Sequence, residues 1–183
     1  MRIFFAVDIP SEAKMRLDSL VVGFKRPGCR ISWVKAKNMH LTLKFIGEYD
    51  PDKLEPLTET VTEHIKEIGP GLMDLVGLGA FPNVRRPRVL WVGVQRNKEW
   101  FVDLAGRVDA ACARLKIPKE KRIPSPHLTI GRVRGIDGCE PVLEAFSRAA
   151  FEYPAFDVNQ ITLYRSDLKP QGAEYTVLKK ISL

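Results

Sequence analysis

Cysteine is scarce in this chain: Cys29, Cys112 and Cys139 are the three present. They are odd in number, widely spaced and form no Cys-x-x-Cys pair, so neither a disulfide framework nor a zinc site is indicated. The expectation is a reduced, cytoplasmic protein. Long apolar runs are also missing. The first, Ile3 to Val7, is closed by Asp8, and a bilayer span needs about 18 apolar residues or more. The reading is a chain neither exported nor anchored, with no membrane partner. Gly-x-Gly-x-x-Gly, Gly-x-x-x-x-Gly-Lys-Ser/Thr and Gly-x-Ser-x-Gly are all absent, which removes the usual dinucleotide, P-loop and serine-hydrolase readings.

What is present is the composition of a globular protein: 45% hydrophobic and 28% charged residues in 183, enough apolar material for a real core. The formal charge of +7 favours an anionic partner such as a phosphate ester or nucleic acid. No low-complexity linker divides the chain, so residues 1–183 read as a single domain.

Apolar periodicity predicts a strand over Ile3 to Val7, then a helix from Pro10-Ser11-Glu12 to about Lys25, ended by Pro27-Gly28. Strands are predicted near Ile31 to Val34 and from Met39 to Ile46, followed by a helix capped by Asp50-Pro51 and stopped at Gly69-Pro70-Gly71. Leu72 to Phe81 and Val89 to Val94 read as strands joined by a basic loop, and Asn97 opens a helix that exits at Ile117-Pro118. A strand at His127 to Val133, a helix from Glu140 to Ala149, and strands near Phe156 to Arg165 and Tyr175 to Ile181 complete the pattern. Several strands are direct neighbours through short loops. The fold class is therefore α+β, with mixed, mainly antiparallel sheets rather than a doubly wound one.

Histidine is as rare as cysteine, yet two of the three sit in one repeated string: His40-Leu41-Thr42-Leu43 and His127-Leu128-Thr129-Ile130. Side chains alternate along a strand, so each His shares a face with the Thr two residues on, while Leu41, Leu43, Leu128 and Ile130 face the core. The copies stand 87 residues apart, as expected if two similar halves each give one strand to a shared cleft. Imidazole, with a reference pKa near 6.5, allows one ring to be base and the other acid near neutral pH. Two threonine hydroxyls can hold the non-bridging oxygens of a phosphodiester between the rings. Either triplet alone is an ordinary strand sequence; the matched pair points to a site. Neither supplies a second ligand at metal-binding spacing, so no metal is expected. His64, on a helix with Thr60 and Glu67, reads as solvated surface.

On these residues the chain resembles the two-histidine (2H) phosphoesterases, whose signature is a pair of His-x-Thr/Ser-x motifs, and within them the RNA 2′,3′-cyclic phosphodiesterase branch, also called 2′-5′ RNA ligase. The likeness extends over the opening strand Met1 to Asp8, Trp33, the block Asn38 to Glu48, Gly79 to Pro82, Arg88 to Val94, Leu163 to Ser166 and Tyr175. It implies two pseudo-symmetric lobes with a cleft between them, no metal or other cofactor, and hydrolysis of RNA 2′,3′-cyclic phosphate ends to 2′-phosphomonoesters by a monomer. It also implies that His40 is the proton donor and His127 the proton acceptor, with Thr42 and Thr129 beside them, and that Arg132 contacts phosphate and Phe45 stacks on a base.

Alternation complicates the last two. Phe45 falls on the core face with Leu41 and Leu43, where it is packing; Arg132 falls opposite His127 unless Gly131 marks a bulge that returns it to the cleft. Ile123-Pro124-Ser125-Pro126 lacks the aromatic residue usual before the second motif. Arg85, Arg86 and Arg88, with Lys35, Lys37 and Lys44, read either as a phosphate-tracking rim or as solvated charge, and Trp33 and Trp91 as core. Two other functions fit the same residues: joining RNA ends through a 2′-5′ bond, chemically the reverse reaction, and RNA binding without catalysis.

Overall fold

A computed structural model describes residues 1–170 and 172–183. Its elements in chain order are β1 (Arg2–Asp8), α1 (Ser11–Phe24), β2 (Ile31–Trp33), β3 (His40–Glu48), α2 (Leu54–Ile65), β4 (Gly71–Val76), β5 (Leu78–Phe81), β6 (Val89–Gly93), α3 (Lys98–Arg114), β7 (His127–Val133), α4 (Glu140–Arg148), β8 (Glu152–Val158), β9 (Gln160–Lys169) and β10 (Gly172–Ser182). The main sheet runs β10-β9-β1-β3-β7-β6-β5, with β2 added beside β7, and β4 pairs with β8 in a separate ribbon. Every pair described is antiparallel. The expected α+β class is what the structure has.

The spacing of 87 residues between the histidine strings extends to whole elements: β1 matches β6, α1 matches α3, β3 matches β7 and α2 matches α4. In the sheet these matches are arranged about the β3–β7 contact, β1 flanking one side and β6 the other. The helices cross between halves, α1 packing on α4 and α2 on α3. Each half is thereby tied to the other by burial as well as by the sheet. One sheet face carries the core, where Leu41, Leu43, Leu128 and Ile130 meet Leu17, Val61, Phe101 and Leu104; the other face carries His40 and Thr42. This is how alternation separates packing from chemistry on the same strands.

Three expectations are corrected. The predicted strand from Leu72 to Phe81 is two strands in different sheets, because Gly77 at φ +79° turns the backbone between β4 and β5, a conformation glycine adopts at no steric cost. The strand predicted from Phe156 to Arg165 likewise divides at Asn159 into β8 and β9. The helix capped by Asp50 opens with a 3₁₀ turn, Pro51–Lys53, and Asp50 Oδ1 accepts the Asp52 amide at 3.1 Å.

The cysteine reading is corrected as well. Cys29 and Cys139 are joined by a disulfide across 110 residues. Their separation in sequence conceals a closeness created by β2 lying along β7, with Ile31 opposite Val133 and Trp33 opposite Gly131. Cys112 is buried and free. Among the described residues no helix is long and apolar enough to cross a membrane. Closing a loop of this size restricts the unfolded chain by about 4.7 kcal/mol in the chain-entropy view, and native disulfides typically contribute about 2–5 kcal/mol. Urea unfolding with and without a phosphine reductant should therefore show a loss of that order on reduction; coincident curves would contradict the bond.

Candidate active site

Strands β3 and β7 pair at a single position, Leu41 opposite Leu128, and both leucines are fully buried. Extending this antiparallel register by one residue sets His40 toward Thr129 and Thr42 toward His127. The two triplets are thus related by a local two-fold axis through the leucine pair, and the four side chains project from the face opposite the core.

A cleft of about 850 Å³ opens over this face, with His40, Thr42, Phe45, Thr129 and Arg132 in its wall. His127 is set apart from that wall and stands against Phe81, ring centroids 5.0 Å apart and edge to face. Phe81, on β5, thus gives the second histidine an aromatic neighbour that the residues just before it lack.

Arg132 and Phe45 reach the cleft by the same device. In β7 the partners step from Thr129 opposite Trp91 to Gly131 opposite Leu90, so Ile130 is an extra residue. In β3 they step from Thr42 opposite Ala6 to Lys44 opposite Phe5, so Leu43 is the extra residue. The two bulges occupy equivalent positions. Each buries two consecutive residues, Leu43-Lys44 and Ile130-Gly131, and turns the next outward. The bulge anticipated at Gly131 is present, and a Cβ there would lie 2.9 Å from the Trp33 ring. Phe45 is turned off the core face that alternation gives it: the residue is 46% exposed, with the Arg2 guanidinium 5.4 Å from its ring centroid.

The same bulge removes Lys44 from the expected rim. Its side chain is 3% exposed, with the ammonium 2.8 Å from Asp109 Oδ1. Lys35 lies on the cleft wall, as do Arg2, Arg134 and Lys169, which the sequence reading passed over. Lys37, Arg85, Arg86 and Arg88 are exposed outside it. Trp33 is half-buried, both stacked on Phe24 at 6.1 Å and part of the wall. Trp91 packs over Gly79 and beside Phe81. His64 is half-buried on α2, its Nδ1 2.8 Å from the Thr60 carbonyl oxygen.

Both imidazoles are held in one tautomer. His40 Nδ1–H donates to the Asn38 carbonyl at 2.8 Å, and His127 Nδ1–H donates to the Ser125 carbonyl at 2.7 Å. A carbonyl can only accept, so Nδ1 carries the proton and Nε2 is the working nitrogen in each ring. Asn38 and Ser125 are again equivalent positions in the two halves. Nothing in their side chains advertises this, because the contact is made by the backbone. The Thr42 hydroxyl lies 3.0 Å from His40 Nε2 and donates to it when the ring is neutral.

The surroundings of the rings differ. His40 stacks on Phe4 at 4.8 Å and meets Tyr175 edge-on at 5.5 Å. Burial among these rings lowers its pKa from 6.5 to about 4, outweighing the Asn38 carbonyl and the Asp8 carboxylate, which favour the cation. Asp8 is opposite His40 in the ladder and accepts hydrogen bonds from Thr162 at 2.8 Å and Tyr164 at 2.6 Å. Among the described residues no three His, Cys, Asp or Glu side chains gather as a metal site would require.

The chain matches the family model described as LigT like Phosphoesterase twice, over residues 7–91 and 92–175. The protein called RNA 2′,3′-cyclic phosphodiesterase from Methanocaldococcus jannaschii is 33% identical over 98% of this chain and 99% of its own. The protein of the same name from Thermus thermophilus is 33% identical over 100% and 90%. Among solved structures, E. coli LigT complexed with 3′-AMP superposes with a TM-score of 0.82 at 26% identity, covering 100% of this chain and 97% of that one. TT0787 of Thermus thermophilus superposes at 0.79, with 29% identity and coverage of 100% and 98%.

A folded-state pKa below the unfolded value means that the native protein binds this proton less readily, so His40 disfavours folding progressively as pH falls from about 6.5 to about 4 and not above that window. NMR titration should give the His40 ring a midpoint near 4 with the Nδ1–H tautomer above it. A midpoint near 6.5 would show that the ring is solvated rather than enclosed by Phe4 and Tyr175.

Proposed function

Because this chain belongs to the LigT-like phosphoesterase family, we propose that it hydrolyses RNA 2′,3′-cyclic phosphate ends to 2′-phosphomonoesters, as one bilobal unit and without a metal ion. The observation that carries the reading is the pairing of the two His-x-Thr strings about the Leu41–Leu128 contact. It supplies two imidazoles with equivalent tautomers and two hydroxyls on one sheet face, with Arg132 in the cleft wall alongside His40, Thr42 and Thr129.

In the proposed reaction, the Arg132 guanidinium and the Thr42 and Thr129 hydroxyls hold the non-bridging oxygens of the cyclic phosphate and offset the charge that grows in the transition state. His127 Nε2 takes a proton from water as its oxygen bonds to phosphorus. The bond from phosphorus to the 3′ oxygen breaks, and His40 Nε2–H gives that oxygen its proton, leaving a 3′-hydroxyl and a 2′-phosphomonoester. This order of roles is the one the family resemblance implies.

His40 is neutral in the free protein, because burial holds its pKa at about 4. A donor in that position acquires its proton together with the anionic phosphodiester, whose charge stabilises the imidazolium beside it. The Nδ1 bond to the Asn38 carbonyl persists in both protonation states, so protonation adds a hydrogen at Nε2 without turning the ring. The Thr42 hydroxyl is then released from Nε2 to the phosphate.

The direct test is incubation of an RNA bearing a 2′,3′-cyclic end with the protein in EDTA, with the product followed by ³¹P NMR. A 2′-phosphomonoester formed at an undiminished rate is expected. A 3′-phosphate, or activity that returns only with a divalent ion, would overturn the reading. His40→Ala and His127→Ala should each lower kcat by about 10²- to 10⁴-fold, the usual contribution of one positioned acid or base. Retention of most activity by either variant would remove that histidine from the reaction.

A further inference from the structure

Phe45 borders two spaces. On one side it lines the histidine cleft; it also lines a second groove of about 440 Å³, formed by Lys44, Phe45 and Ile46 of β3 and by Ile117 to Arg122 of the loop between α3 and β7. The loop reads Pro118-Lys119-Glu120-Lys121-Arg122 and continues through Pro124-Ser125-Pro126 into His127. Groove and cleft therefore share the Phe45 ring, and the loop that lines the groove leads on to His127 beside the cleft.

The loop is built on a buried cation. The Lys44 ammonium donates to the Pro118 carbonyl at 2.7 Å and to Glu120 Oε1 at 3.4 Å, and pairs with Asp109 Oδ1 at 2.8 Å. Asp109 Oδ1 also accepts the Glu120 amide at 3.1 Å. Two consequences follow. The root of the loop is fixed against β3 beside Phe45, and the loop's own carboxylate, Glu120, which is 49% exposed and also lines the groove, has one oxygen paired with Lys44. Lys119, Lys121 and Arg122 are exposed, and among the described residues none of the three has a carboxylate within ion-pair distance. Cations left unneutralised beside an exposed aromatic ring are what single-stranded nucleic acids bind: the charges track phosphates and the ring accepts a base of any identity.

We infer that this groove is a second phosphate site, through which an RNA strand leaving the histidine cleft passes over Phe45 to Lys119, Lys121 and Arg122. The inference rests on the proposed reading of the cleft, and it adds that the preferred substrate is a polynucleotide rather than a mononucleotide. Phe45 stands three residues beyond Thr42 on β3, about 10 Å at a strand rise of roughly 3.3 Å per residue. The groove therefore holds phosphates upstream of the reacting one and leaves the chemistry to the cleft. Lys44 is a positioning residue here, holding the loop and touching no phosphate.

The test compares two substrates with the same reactive end, cytidine 2′,3′-cyclic phosphate and a single-stranded oligoribonucleotide terminating in that group, on the wild type and on K119Q/K121Q/R122Q. For the oligoribonucleotide KM should rise about tenfold with kcat unchanged. The slope of log KM against log salt should fall by about 2, since each phosphate contact on a single strand contributes about 0.7. The mononucleotide should be indifferent to the substitutions. A control variant, K25Q/K53Q/K98Q, removes the same charge from exposed positions elsewhere and should leave both substrates unaffected. Equal effects of the loop variant on both substrates, no effect on either, or an equal effect from the control would overturn the inference. Fluorescence anisotropy with an oligoribonucleotide ending in a plain 3′-hydroxyl reads the groove without turnover, and about tenfold weaker binding by the loop variant is expected. If the wild type hydrolyses neither substrate, the reading of the cleft fails, and the anisotropy result alone decides for or against the groove.

Discussion

The contact between Leu41 and Leu128 is the constraint on which the rest of this structure depends. It is the one ladder position at which β3 meets β7, and both side chains are wholly buried in the core cluster. Deleting a buried leucine side chain typically costs about 2–5 kcal/mol, so the junction is fixed from the core side. With the leucines pointing inward, the residues on either side must point outward. That is what presents a histidine and a threonine from each half on the same sheet face, with His40, Thr42 and Thr129 in the cleft wall and His127 beside it against Phe81. The crossed packing of α1 on α4 and α2 on α3 holds the halves in that relation, so the chemical face is set by a hydrophobic decision made on its reverse.

Two bulges then modify what plain alternation would give. Leu43 and Ile130, at equivalent positions, are each an extra residue, and each sends the residue two places on to the cleft: Phe45 in one half, Arg132 in the other. The two-fold relation is thus kept in backbone device and broken in side chain, with an apolar ring from one half and a guanidinium from the other lining the same cleft. The histidines are broken in the same way. Phe4 and Tyr175 enclose His40, while Phe81 stands against His127. A reaction that asks two identical rings to do opposite jobs needs such a difference, and here neighbouring strands supply it.

Much of this was legible in the sequence, for reasons that can be stated. The repeated His-x-Thr strings declared themselves because histidine is rare and strand alternation is strict, and the α+β class followed from short loops between neighbouring strands. Gly131 signalled its bulge. Leu43 carries no such mark, so plain alternation sets Phe45 on the core face, against the family resemblance that places it at the substrate, and leaves Lys44 exposed as rim or as solvated charge; the bulge turns Phe45 outward and Lys44 inward. Gly77 gives no sign of ending a strand in the sequence, because the apolar pattern does not lapse there. The Cys29–Cys139 bond was hidden by distance along the chain and became visible only once β2 lay beside β7. The carbonyls of Asn38 and Ser125, which fix both tautomers, are backbone groups and leave no trace in residue identity.

The central claim is that the two strings form a single site rather than two similar surface features, and a double-mutant cycle tests it most directly. Groups that act in one step are strongly non-additive, because removing either one already abolishes the concerted use of both. On an RNA 2′,3′-cyclic end, the account predicts that the H40A/H127A variant is no more than a fewfold slower than the slower of the two single variants. Losses that multiply, so that the double variant falls by the product of the two single effects, would show that His40 and His127 act independently and would contradict the account.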